Sequence, residues 1–313
     1  MMADTNQRDI WWAVARSEEV SAKKPLAVDI GDQPVVLWRD NHGVVRALED
    51  RCPHRRAPLS LGCVRDNGWL QCGYHGWSYD GETGRLAEIP NMKDQQKFPP
   101  VYKAMAFGVA EQAGMVRVCL RAGASPPSDA GDGYARSGTT NVSLNHQDFL
   151  DALYDDPGLV IAIRGVDFTP YLMSELRERD GLLVMERSCQ WMGLHWPAPF
   201  SSDFPLTVLT ATDPVTGETK LTLRDTELRE LLHAVIAPVP AARGTTAIRW
   251  RAEIGVRHPG VRGALLRRSN PFGVNPFVDG AKLRTTKPSA SLHGRDLRDA
   301  MLKAPARPEA VAA

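Results

Sequence analysis

The sequence predicts an α+β fold, and three observations predict it. Short apolar runs divided by turn residues fill residues 10 to 120, the spacing of strands. One segment, Asn145 to Asp155, has the apolar spacing of a helix. Beyond it the chain returns to strand-length runs separated by turns such as Asp213-Pro214-Val215-Thr216-Gly217, the pattern of an antiparallel meander. At 313 residues, 43% hydrophobic and 24% charged, the chain suits one large globular domain or two modest ones.

The elements follow in order. Trp11 to Val14 open an apolar segment. Val35 to Trp38 is a strand, Asp40-Asn41-His42-Gly43 a turn, and Val44 to Leu48 the returning strand. His42 reads as a solvated turn residue. Gly68 to Gln71 and Trp77 to Tyr79 are strands around a tight loop, and Asp80 to Gly84 turns the chain back. Strands at Phe107 to Ala110 and Met115 to Leu120 close a first domain, expected over residues 1–122. Residues 123–140 are small, polar and broken by Gly and Pro, and are expected to be a linker.

A second domain is expected over 141–303. Its helix carries Phe149, Leu150, Leu153 and Tyr154 on one face, and Asp156-Pro157-Gly158 stops it. Strands are expected at 159–164, 170–177, 182–187, 206–211, 220–224, 231–237 and 246–254. A short basic helix at 261–268 and a terminal helix at 296–303 follow. Residues 304–313 form an Ala- and Pro-rich tail, expected to be disordered.

Composition excludes several function classes. A formal net charge of +1 gives no case for nucleic acid or an anionic membrane surface. No apolar run reaches the roughly 20 residues of a membrane span. The start MMADTNQRDIWW has no basic-then-apolar signal pattern, so the cytoplasm is expected.

The chemistry concentrates between Cys52 and Tyr79. Two arms, Cys52-Pro53-His54 and Cys72-Gly73-Tyr74-His75, lie 17 residues apart, and each offers one thiolate and one imidazole. That set suits a two-iron cluster with two Cys on one iron and two His on the other. Structural zinc sites more often group their Cys together and their His together, and a zinc module remains the alternative. Cys63, Cys119 and Cys189 are left over and are expected to be buried free thiols.

The stretch resembles the Rieske [2Fe–2S] domain of Rieske oxygenases, the non-haem iron ring-hydroxylating and O-demethylating enzymes. Arg55, Ala57-Pro58-Leu59, Gly62 and Tyr74-His75-Gly76-Trp77 match beside the four candidate ligands. Respiratory Rieske proteins place an extra Cys in each arm; Ala57 and Tyr74 stand there, which points to the oxygenase branch. The resemblance implies Cys52, His54, Cys72 and His75 as cluster ligands. It also implies a second domain of helix-grip type, a curved antiparallel sheet holding a long helix.

The resemblance further implies a mononuclear Fe(II) held by two His and a carboxylate, with an Asp-x-x-His-x-x-x-x-His helix. On the helix here Asp151 falls on the bridging acid, but Tyr154 and Leu159 stand where the two His belong. His146, His195 and His233 are the candidates for a rebuilt site, each competing with an ordinary structural role. Phe149, Met173, Trp191, Met192, Trp196 and Phe200 could line an apolar pocket or belong to the core. The implied function is O₂-dependent hydroxylation or dealkylation of a small apolar or aromatic compound, with electrons from a reductase or ferredoxin. The implied assembly is a homotrimer or a hetero-oligomer with a related subunit. The alternative is a catalytically degenerate electron-transfer or accessory subunit beside an active oxygenase.

Overall fold

A computed structural model of the chain describes residues 7–92, 98–128, 134–155, 157–192, 206–255, 276–277 and 292–303. They fall into two compact units, one built from residues up to 146 with 235–253, the other from 147–234 with residues after 253.

The first unit begins with β1 (Trp11–Arg16), β2 (Leu26–Ile30), β3 (Gln33–Arg39) and β4 (Val45–Glu49). Strand β3 explains why its sequence is one apolar run rather than an alternation. Successive side chains of a strand point to opposite faces. Val35 and Leu37 enter one core with Trp12, Val14 and Val118. Val36 and Trp38 enter a second core with Leu48, Leu59, Leu70 and Tyr79. Both faces of β3 are therefore dry, and Val35 to Trp38 are all fully buried. The second core also contains Cys52 and Cys72.

Four short strands carry the loops above that core: β5 (Cys63–Val64), β6 (Leu70–Gln71), β7 (Ser78–Tyr79) and β8 (Leu86–Glu88), paired in that order. β9 (Gly108–Gln112) and β10 (Met115–Cys119) form an antiparallel hairpin, and β10 also pairs with β1. The indole Nε1 of Trp38 donates to Gly68 O at 3.0 Å, which satisfies a polar group inside the core.

β11 (Arg136–Val142) lies in the stretch expected to be a linker and pairs residue for residue with the later strand Thr245–Ile254. Its polar composition concealed it. It is the edge of its sheet, and only Val142 among its residues is buried. A strand at Leu26–Ile30 was also not expected.

The second unit opens with α1 (His146–Asp155), within a residue of the expected helix. Asp151 and Ala152 are buried along with the expected apolar face. The strand expected at 159–164 does not form. Pro157–Leu159 is a single 3₁₀ turn, and Ile163 makes only an isolated bridge to Phe277. Val160, Ile161 and Ile163 are still buried, so the apolar run reflects packing rather than pairing.

β12 (Val166–Arg179), β13 (Leu182–Trp191), β14 (Leu206–Thr212), β15 (Thr219–Arg224), β16 (Glu230–Ala241) and β17 (Thr245–Ile254) follow. β12 to β15 pair in chain order, each antiparallel to the next, while in the first unit β17 pairs with β11. β14 alternates buried and half-buried residues along its length, the mark of a sheet with one core face. The buried hydroxyls of Thr212 and Thr219 meet across the β14–β15 pair at 3.0 Å. α2 (Leu292–Lys303) starts four residues earlier than expected. The basic helix expected at 261–268 lies outside the described residues, as do the 304–313 tail and residues 193–205. Among the described residues no helix is long and apolar enough to cross a membrane.

Candidate metal centre

The two arms close with the same backbone geometry. In the first, Cys52 N–H donates to Ala57 O at 2.8 Å, and Arg56 N–H donates back to Cys52 O at 2.7 Å. In the second, Cys72 N–H donates to Trp77 O at 2.8 Å, and Gly76 N–H donates to Cys72 O at 3.0 Å. Each turn needs a left-handed residue four places after its cysteine. Gly76 supplies φ 73°, and Arg56 supplies φ 58° without being a glycine.

The arms are pressed together by residues between them. Asp50 accepts from Ser60 N–H at 2.7 Å and Ser60 Oγ at 2.6 Å, which pins the loop after the first arm. A Cβ at Gly62 would lie 1.9 Å from Gln71 O, and one at Gly73 would lie 2.8 Å from Leu61 O. Gly62 and Gly73 thus let the two backbones touch. Gln71 Nε2 donates to Gly76 O at 3.0 Å and braces the second arm from below.

The four side chains divide by depth. Cys52 and Cys72 are each 2% exposed. His54 is half-buried and His75 exposed. The imidazoles approach to 4.7 Å between ring centroids, and His54 lies flat on Trp77 at 4.2 Å with an interplanar angle of 2°. Tyr102 meets the edge of Trp77 at 5.0 Å. Tyr79, fully buried, places its hydroxyl 3.1 Å from Cys52 Sγ.

The electrostatics keep the His54 imidazole neutral and disfavour a free thiolate at Cys72. Burial raises the Cys72 thiol pKa, opposed by the N–H groups of Tyr74 and His75 and reinforced by neighbouring Cys52. Burial, then His75 and Arg55, lowers the His54 pKa. Burial and the two cysteines push the Tyr79 hydroxyl far up, so it stays protonated. His54 Nδ1 is buried without a hydrogen-bond partner among the described residues. Leaving such an atom unsatisfied costs about 1–3 kcal/mol. The residues present therefore fit a [2Fe–2S] group: two buried sulfurs for an inner iron and two imidazoles toward solvent for an outer one. Cys63 is exposed, contrary to expectation, because it sits on the edge strand β5, while Cys119 and Cys189 are buried free thiols.

Among the described residues, the candidates for the second metal are not brought together. His146 packs edge-on against Trp12 at 5.3 Å. His233 Nε2 pairs with Glu230 Oε2 at 2.9 Å. His195 lies outside the described residues, as do Trp196 and Phe200. Asp151 is 7% exposed and ion-paired with Arg295 of α2, and it accepts from Gln147 Nε2 at 3.0 Å. Tyr154 is buried, its hydroxyl has no hydrogen-bond partner among the described residues, and its pKa is raised by burial. Gly294 of α2 packs against the root of the Tyr154 side chain, where an added Cβ would lie 2.6 Å from Tyr154 Cβ. Among the described residues no three His, Cys, Asp or Glu are placed to hold one ion. Of the candidate pocket residues, Phe149 and Trp191 are core, whereas Met173 and Met192 are 60% and 62% exposed.

Arg56 was missed by sequence reasoning. Only the matching position of Gly76 in the second arm could have drawn attention to it.

Comparison with known proteins agrees with this geometry. Residues 10–99 match the family model described as the Rieske [2Fe-2S] domain. The chain is 53% identical over 109 residues to the oxygenase component of dicamba O-demethylase from Stenotrophomonas maltophilia, covering 35% of this chain and 31% of that one. It is 42% identical over 107 residues to the vanillate O-demethylase oxygenase subunit of a Pseudomonas strain, covering 34% and 28%. It is 32% identical over 178 residues to the chloroplastic protein TIC 55 of Arabidopsis thaliana, covering 54% and 32%. The chain thus spans about a third of the length of these curated relatives. Among solved structures, apo dicamba monooxygenase aligns over 94% of this chain and 97% of its own, at 20% identity and a TM-score of 0.65. The two share a fold, with an N-terminal Rieske domain and a following antiparallel sheet domain.

Proposed function

We propose that this chain, whose residues 10–99 form a Rieske [2Fe–2S] domain, is an oxygenase component that accepts electrons for O₂-dependent hydroxylation or dealkylation of a small apolar or aromatic compound. The observation that carries the reading is the pair of matched arms. They bring Cys52, His54, Cys72 and His75 together, with His54 Nδ1 buried and without a partner among the described residues. In this reading those four side chains hold the cluster, which when bound supplies one-electron transfer. The thiols of Cys52 and Cys72 give up their protons on binding it. The indole of Trp77 keeps the His54 ring in one orientation, and the Tyr79 hydroxyl, 3.1 Å from Cys52 Sγ, would donate to the sulfur once it is deprotonated. Cys52 and Cys72 are shielded from water by Leu59, Leu70 and Tyr79. The relatives named as dicamba and vanillate O-demethylase components support the oxygenase class. Electrons would come from a reductase or ferredoxin, and the chain would assemble as a homotrimer or with a related subunit.

A specific observation favours a second reading. Asp151 is ion-paired with Arg295, and Tyr154 is buried and packed against Gly294. A chain with that helix pair would carry electrons to a catalytic homologue rather than react with O₂ itself. Iron analysis with turnover assays separates the two. A third, chelatable iron beyond the cluster and O₂-dependent turnover by the chain alone support the first. Cluster iron only, with turnover solely in the presence of a second oxygenase-like chain, supports the second.

A further inference from the structure

One cluster of charged side chains takes no part in the metal centre. It lies in the first unit, where β17 meets β11 and the 3₁₀ turn Ser17–Glu19. Arg249 and Arg251 stand two places apart on β17, so they share one face of that strand. Arg251 is well answered. Its Nη2 meets Glu18 Oε2 at 2.6 Å, its Nε donates to Gly114 O at 2.9 Å and its Nη1 to Tyr134 O at 3.0 Å. Arg249 differs. Its Nε and Nη1 are buried without a hydrogen-bond partner among the described residues, and so is Nε of Arg16.

The nearby carboxylates do not fill that gap. Thr139 faces Arg249 across the β11–β17 pair, and its hydroxyl donates to Glu19 Oε1 at 3.1 Å. The same oxygen takes Arg16 Nη2 at 2.9 Å, and Glu19 Oε2 takes the Arg16 N–H at 2.8 Å. Both oxygens of Glu19 are therefore engaged. Asp29 attracts Arg249 from a distance, but burial and then Asp50 push the Asp29 carboxyl towards its neutral form. Burial lowers the Arg249 pKa; Glu19 and Asp29 oppose this, and Arg16 adds to it. Two guanidinium groups thus repel one another while three of their buried nitrogens have no acceptor. Such groups are costly unless an acceptor with negative charge reaches them. The planar guanidinium matches the oxygens of a phosphate or carboxylate.

We propose that Arg249 and Arg16 form a binding site for a small oxyanion of the phosphate type, at the seam between β17 and the Ser17–Glu19 turn. The anion accepts from the three unanswered nitrogens and supplies the counter-charge that Glu19 has already spent on Arg16 and Thr139. Arg16 Nη1 also donates to Ser137 of β11 at 3.2 Å, so a bound anion would tie that edge strand more firmly to the rest of the unit. The ligand is held and not converted, so no bond forms or breaks. The site uses none of the four cluster ligands, and it stands apart from the electron-accepting reading.

The test uses the full chain in phosphate-free buffer. Calorimetric titration with inorganic phosphate should show one site per chain. Saturating phosphate should raise the melting temperature by about 3–6 °C. Chloride at matched ionic strength should not, which separates a bound oxyanion from screening. Arg249→Met keeps an apolar stem and removes the guanidinium. It should abolish phosphate binding yet melt no lower than the parent in phosphate-free buffer, because it deletes a buried cation that nothing answers. Arg249→Lys keeps the charge and loses the planar donor set, so it should bind about tenfold more weakly. It decides the question if Arg249→Met does not fold. Absence of phosphate binding, an equal shift with chloride, or variants that bind as the parent does overturns the proposal. Acetate binding more tightly than phosphate overturns the choice of ligand. A folded Arg249→Met chain that melts well below the parent in phosphate-free buffer also overturns it, since Arg249 would then be answered from within the chain. So does phosphate-insensitive self-association that Arg249→Lys abolishes, since a second copy would then supply the acceptor.

Discussion

Replacing Gly62 by alanine tests whether the contact between the arms is what forms the site. A Cβ there would lie 1.9 Å from Gln71 O, 2.9 Å from Gln71 C and 3.1 Å from Gly73 N. Real Cβ contacts essentially never fall under 3.0 Å, so Gln71 O must retreat by about 1.1 Å. Gln71 precedes Cys72 directly, and its side chain braces Gly76. Metal–ligand distances tolerate only about 0.2 Å. The displacement therefore exceeds the tolerance of the site severalfold. The obstacle is backbone, which no rotamer change relieves, so a stability loss of about 1–3 kcal/mol accompanies it. The assay is iron and sulfide per chain after reconstitution, with a melting curve. Gly181→Ala serves as the comparison: φ is 78° there but nothing lies within 4 Å. That variant should lose about 1 kcal/mol and keep its full iron content. A Gly62→Ala chain with full iron content and an unchanged melting curve would refute the reasoning.

Other outcomes follow from the same contacts. Tyr79→Phe removes the hydroxyl 3.1 Å from Cys52 Sγ. A neutral hydrogen bond is worth about 0.5–1.5 kcal/mol, so the reduction potential should fall by about 20–60 mV in direct voltammetry; an unchanged potential contradicts the contact. Asp40 accepts from Arg46 Nε at 2.8 Å and from the N–H groups of His42 and Val44. Burial alone would raise its pKa, but these donors hold it below 3.8. The contribution is present above that value and is lost as pH falls below it through the folded value. Asp40→Asn should therefore cost about 1–2 kcal/mol at neutral pH and converge on the parent in acid, as urea melts at several pH values would show. Asp151→Asn removes the partner of Arg295 and an acceptor of Gln147 and should cost about 1–3 kcal/mol. If Asp151 serves α1–α2 packing, Arg295→Gln in the same chain adds little further loss, and iron content stays unchanged; full additivity argues against the pair.

The site was more legible in the sequence than the sheet that follows it. The four ligand candidates are chemically distinctive, and their glycines mark where the arms close. Strands such as Leu206–Thr212 were readable because one face is buried and the period is two. β11 was not, because an edge strand with one buried residue has the composition of a linker. The run from Val160 to Ile163 misled in the opposite direction, since burial alone produces an apolar run without pairing. Asp151 was read as the bridging acid because it falls on that position of the Asp-x-x-His-x-x-x-x-His pattern that the resemblance implies. Its partner, Arg295, lies 144 residues away, and no local pattern connects them.

The central claim is that Cys52, His54, Cys72 and His75 hold a two-iron cluster with mixed ligation. Electron paramagnetic resonance of the dithionite-reduced chain, with iron and sulfide counted on the same sample, tests it most directly. The account predicts a red-brown protein with two irons and two sulfides per chain and a Rieske-type signal, lost in Cys72→Ser. A colourless protein that holds zinc and no sulfide contradicts it.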